Sequence, residues 1–236
     1  MSLRAKIVAS IAVAASAFLL APTGAQAATH PVQVSGAKLK SALLPASTFG
    51  SGFKQAGAIS SGKSLWSAKA KKHVPAMSCS GFENAGLTRF GETAAAFSAS
   101  VDNDGTSSPD LSDLTILYEQ SVYQFPSTKT GATFYSQVHA KYAACKSFDD
   151  KVLDGSGQHS TVTLKSIAWT RVGKYHAFQL TQSLGNLGLP GISLNLNTLV
   201  TAAGADVFIV TDFSTSNHPV SAKSMLKLVS RVKALR

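Results

Sequence analysis

Residues 161–213 read TVTLKSIAWTRVGKYHAFQLTQSLGNLGLPGISLNLNTLVTAAGADVFIVTDF, and this stretch decides the fold. Four β-rich segments, Thr161 to Trp169, Tyr175 to Leu184, Ile192 to Ala202 and Asp206 to Phe213, are separated by turn signals at Gly173, Gly185 to Gly191 and Gly204. Val, Ile, Thr and aromatic side chains suit a pleated surface, and glycine reaches the backbone conformations that tight turns require. Four such segments in succession predict an antiparallel meander.

The same signals continue upstream. Glu92 to Val101 and Leu114 to Phe125, the latter carrying Ile116, Tyr118, Val122 and Tyr123, read as strands joined by a polar loop at 102–113. Pro126-Ser127 marks a helix start, and Phe134, Val138 and Tyr142 recur every four residues up to Cys145. Before these, a short helix near Lys38 to Leu44 is stopped by Pro45, and 47–78 suggests short strands joined by exposed loops. After the meander, Asn217 to Pro219 opens a last helix whose apolar stripe is Ala222, Met225, Leu226, Val229 and Val232. Strands, helix, strands, helix predicts one α+β domain: an antiparallel sheet with helices packed on one face.

The N-terminus reads as an export signal. Arg4 and Lys6 give a positive start, and Ile7 to Ala21 is uncharged and apolar, short of the ~20 residues a membrane span needs. Pro22 and Gly24 break that run, and Ala25-Gln26-Ala27 places small residues where a signal peptidase reads. The expected division is a signal peptide at 1–27, a flexible leader at 28–37 and the domain at 38–236. No cysteine lies near the cleavage point, so neither a lipid nor a transmembrane anchor is expected, and the chain should be secreted or otherwise extracytoplasmic. Removing 1–27 takes two of the 22 basic residues and none of the 12 acidic ones, leaving a net charge of +8. The cations are dispersed rather than interleaved with aromatics, which argues against nucleic acid and for an anionic cell-envelope polymer or lipid.

The two cysteines, Cys79 and Cys145, would meet an oxidising environment after export, and no Cys-x-x-Cys spacing marks a redox site. A structural disulfide between them is the expectation.

Several stretches resemble a known family. Leu43-Leu44-Pro45-Ala46, Met77-Ser78-Cys79, Phe90-Gly91-Glu92-Thr93-Ala94, the Tyr118 to Phe148 unit, Tyr175-His176-Ala177-Phe178-Gln179-Leu180 and Ala205-Asp206-Val207-Phe208 look like the PknH-like extracellular sensor domain. That family occurs as the outer domain of mycobacterial receptor serine/threonine kinases and as stand-alone actinobacterial proteins. The resemblance runs over roughly residues 40 to 235 and implies an α+β sheet with a cleft for an unidentified ligand. The chain departs from the kinase-linked members in having no kinase domain, no transmembrane helix and one cysteine pair instead of two.

Catalytic motifs are weak. Ser224-Met225-Leu226-Lys227 has Ser-x-x-Lys spacing without the companion motifs of penicillin-recognising enzymes, and no Gly-x-Ser-x-Gly elbow occurs. Asp102-Asn103-Asp104-Gly105 resembles the start of a calcium loop, but Asp113 stands where a bidentate Glu is needed and Pro109 interrupts it, so a solvated turn is the better reading. The six histidines show no paired metal-ligand spacing, so no catalytic residue, metal or cofactor is assigned. Two surfaces remain. Lys223, Lys227 and Arg231 recur every four residues on one helix face and are candidate anion contacts. Tyr118, Trp169 and Phe178, with Leu189 in the Gly- and Leu-rich segment 184–200, are candidate ligand contacts. The expected function is a secreted, non-enzymatic ligand-binding or sensor-like domain for an unidentified small or amphipathic ligand. The alternatives are an envelope-associated protein adhering through its basic faces and, third, a hydrolase.

Overall fold

The computed structural model describes residues 32–63, 78–80, 92–101, 114–150, 160–185, 193–214 and 219–236. Among these the elements are α1 (Gly36–Leu39), followed by short 3-10 turns at Lys40–Ala42 and Ala46–Thr48, then β1 (Phe53–Lys63), β2 (Glu92–Val101) and β3 (Leu114–Gln124). Next come α2 (Thr128–Ala144), β4 (Ser147–Asp150), β5 (Ser160–Val172), β6 (Tyr175–Gly185), β7 (Leu194–Ala203), β8 (Asp206–Ser214) and α3 (Ala222–Lys233). The eight described strands form one antiparallel sheet in the order β1-β2-β3-β8-β7-β6-β5-β4. The meander is therefore as the sequence implies. Its last strand returns to pair with β3, Val122 opposite Phe208, which closes β1–β3 and β4–β8 into a single sheet.

The helices are divided between the two faces, not gathered on one. Successive strand residues point to opposite sides. On one side Val122, Leu199, Phe208 and Val210 pack with Leu39, Leu43 and the α3 residues Met225, Leu228, Val229 and Val232. On the other, Tyr123, Phe178, Val200, Val207 and Ile209 pack with Phe134, Tyr135, Val138 and Tyr142 of α2. The cause is in β8, where Val207, Phe208, Ile209 and Val210 are four consecutive apolar residues, so both faces of the central strands must be covered. On α3, Leu228 joins the buried stripe and Leu226 is left 38% exposed.

The ends of α2 are fixed by local chemistry. Ser127 caps its start, accepting from Thr130 N at 3.1 Å. Gly131 lies so close to the β7–β8 turn that a Cβ there would sit 3.0 Å from the Ala205 carbonyl oxygen. Past its last turn Cys145 is bonded to Cys79, with Cα atoms 5.6 Å apart. Then β4, a strand the sequence reading missed, pairs Ser147 to Asp150 with β5.

The described part of the segment read as a flexible leader is held down from Val34 onward. Val34 is buried and its N–H donates to Gln124 Oε1. Gln124 in turn donates to Asp206 Oδ1 at 3.1 Å, and Arg236 Nη2 donates to the same oxygen at 2.7 Å. Burial raises the Asp206 carboxyl above its ordinary range, and Arg236 offsets part of that cost.

Candidate functional site

Thr128, Ala132, Tyr135 and Ser136 fall on one face of the first half of α2, spaced at four, three and one residues. Opposite them, the β5–β6 turn, made possible by Gly173 at φ 58°, sets Lys174, Tyr175 and His176 beside Trp169. The β7–β8 turn, with Gly204 at φ 70°, adds Ala202 and Gly204. These three pieces enclose an open groove of about 580 Å³. Its size falls within the range of small-molecule sites.

One wall is an aromatic ledge. The Trp169 and His139 rings are stacked, with centroids 4.0 Å apart and planes 17° from parallel. Phe178 meets Trp169 edge-on at 5.9 Å, His139 edge-on at 5.0 Å and Tyr135 at 5.3 Å. Phe178 is fully buried, whereas Trp169 remains 61% exposed. A tryptophan that the fold immobilises yet does not bury offers a rigid apolar face to solvent. Burial pushes the His139 imidazole below its ordinary value and the Tyr135 phenol above its own, so both are neutral at pH 7. The Tyr135 hydroxyl is buried with no hydrogen-bond partner among the described residues. Thr128, Ser136, Lys174 and His176 supply polar groups around the apolar surface. Among the described residues, Ser136 is not hydrogen-bonded to His139 or His176, and no group of His, Cys, Asp or Glu is placed to hold a metal.

The expected ligand residues are not brought together as a set. Trp169 lines the groove and Phe178 supports it from beneath. Tyr118 lies on the other face of the sheet, stacked on Phe49 at 4.5 Å and against Phe53 at 5.4 Å. Leu189 and the Asp102 to Gly105 segment lie outside the described residues. On α3, Lys223 and Lys227 are exposed, but Arg231 donates to the carbonyls of Ala42 at 2.8 Å and Ser41 at 2.7 Å. Its guanidinium thus ends the 3-10 turn at Lys40–Ala42. The sequence reading missed Tyr135, His139, Ser136, Lys174 and His176. The spacing of Tyr135 and His139, one helical turn apart, was the available signal.

No family model matches this chain, and no curated protein matches it either. Among solved structures it is similar to the extracellular domain of PknH from Mycobacterium tuberculosis, with a TM-score of 0.54 and 12% identity over 86% of this chain and 97% of that one. At that identity the likeness is one of fold. Among the described residues no helix is long and apolar enough to cross a membrane.

Proposed function

We propose that this chain is an extracytoplasmic, non-enzymatic domain that binds a small amphipathic ligand in the groove between α2 and the β5–β6 hairpin. The observation that carries the reading is Trp169, held by the His139 and Phe178 rings yet 61% exposed at the groove. An apolar tail or ring would cover the tryptophan, and a polar head would meet Lys174 and the hydroxyls of Thr128 and Ser136. The disulfide supports an extracytoplasmic location. The fold shared with an extracellular domain, and the stretches resembling a sensor family, support a sensor-like role.

The test is titration with a fluorescent fatty acid. The native protein should bind it saturably, and Trp169→Ala should weaken binding by roughly tenfold, the loss of one well-placed aromatic contact. Equal affinity in the variant would refute the assignment.

A further inference from the structure

Among the described residues, the outer edge of β5 is open for most of its length. β4 pairs only with Ser160 to Thr163, and Leu164 N donates to Lys146 O at 2.8 Å. From Lys165 to Val172 no described strand lies outside β5, although Ser166 to Val172 run in unbroken register with Thr181 to Tyr175 of β6. Lys165, Ser166, Ala168, Trp169, Thr170 and Arg171 are all exposed. On β5 the register slips once, between Leu164 and Ser166, at the start of this stretch; the opposite edge of the sheet is interrupted in its middle. There β1 contains Gly57 and Gly62 and slips register between Ala56 and Ser60, the irregularities that blunt an edge against pairing. From Ser166 to Val172, past the slip, the β5 edge has neither glycine nor proline, and it presents a continuous row of main-chain donors and acceptors about 23 Å long at ~3.3 Å per residue.

Charge says what would pair there. Lys165, Arg171 and Lys174 flank the open stretch, and no acidic residue occurs from Ser160 to Gly185. A second copy pairing through the same edge would crowd two lysines and two arginines into one short ladder with no counter-charge. Neutral and basic strands gain nothing from these cations, whereas an acidic strand satisfies both the ladder and the charges. We infer that the β5 edge, Lys165 to Val172, accepts an extended acidic polypeptide segment as an added strand, its apolar side chains lying against Trp169. This surface shares Trp169 and Lys174 with the groove, but its main-chain ladder does not depend on a ligand binding there.

The experiment is amide hydrogen exchange on the folded protein with a capped heptapeptide of alternating Glu and Val. About half of the amides from Lys165 to Val172 point outward, and these should gain at least about tenfold protection, lost at high salt. The same peptide with Lys for Glu, or N-methylated at alternate residues, should give none. Lys165→Glu with Arg171→Glu, both at exposed positions, should abolish the effect while circular dichroism stays native. Absence of protection, equal protection by the Lys or N-methylated peptide, or peptide-free protection that grows with protein concentration would each overturn the inference.

Discussion

The side-chain amide of Gln120 holds the main chain of Leu44 at both of its polar groups. Oε1 accepts from the Leu44 N–H at 2.8 Å and Nε2 donates to the Leu44 carbonyl at 2.7 Å. One residue of β3 thereby substitutes for a neighbouring strand and fixes the N-terminal segment on the α3 face. Gln120 is fully buried, so Gln120→Leu would leave two buried backbone groups unpaired, at about 1–3 kcal/mol each. Chemical denaturation should show a loss of roughly 2–5 kcal/mol, and a loss near zero would mean that water replaces the amide.

The disulfide closes a loop of 66 residues between Cys79 and Cys145. In the chain-entropy view this corresponds to about 4 kcal/mol of stability. Cys145→Ser should lower Tm by many degrees, and thiol titration of the native protein should find no free thiol. Two reactive thiols would contradict the pairing.

Arg231 and its two neighbours on α3 should separate in mutagenesis. Arg231→Gln removes two hydrogen bonds to the Ser41 and Ala42 carbonyls and should cost about 1–3 kcal/mol. Lys223→Gln and Lys227→Gln, at exposed positions, should each stay within about 0.5 kcal/mol. Equal effects at all three positions would return Arg231 to the solvated face.

His139 gives the groove a pH dependence with a defined sign. Its folded-state pKa lies below the ordinary 6.5 because burial disfavours the imidazolium. The unfolded chain therefore takes up the proton first, so stability from this residue is complete above pH 6.5 and declines as pH falls from 6.5 through the lowered value. Protonation against the stacked Trp169 ring should also quench its emission, with a midpoint below 6.5 that disappears in His139→Gln. A midpoint above 6.5, or a step that survives the substitution, would contradict the stacked geometry.

Strand periodicity and turn glycines made the sheet legible, because alternation and left-handed turn residues are local properties. Gly173 and Gly204 stand at the turns with positive φ, where the sequence placed them. The division of helices between faces was also encoded, in the unbroken run Val207 to Val210, which marks a strand buried on both sides. The groove was legible only in part. Trp169 was singled out for its type, but its exposure arises from its position near the sheet edge, opposite Phe178 in the register and beneath His139 from a distant helix. Tyr118 is chemically similar, yet it lies on the opposite face against Phe49 and Phe53. No local pattern separates these two environments, since each is created by chain segments far away in sequence.

The central claim is that the ligand lies on Trp169, and the most direct measurement is the set of amide chemical-shift changes when a saturating medium-chain fatty acid is added to the isotope-labelled protein. The account predicts the largest changes at Ala132, Ser136, Trp169, His176 and Gly204, with Phe49 and Tyr118 unmoved. Changes centred on Phe49 and Tyr118, or no saturable change anywhere, would contradict it.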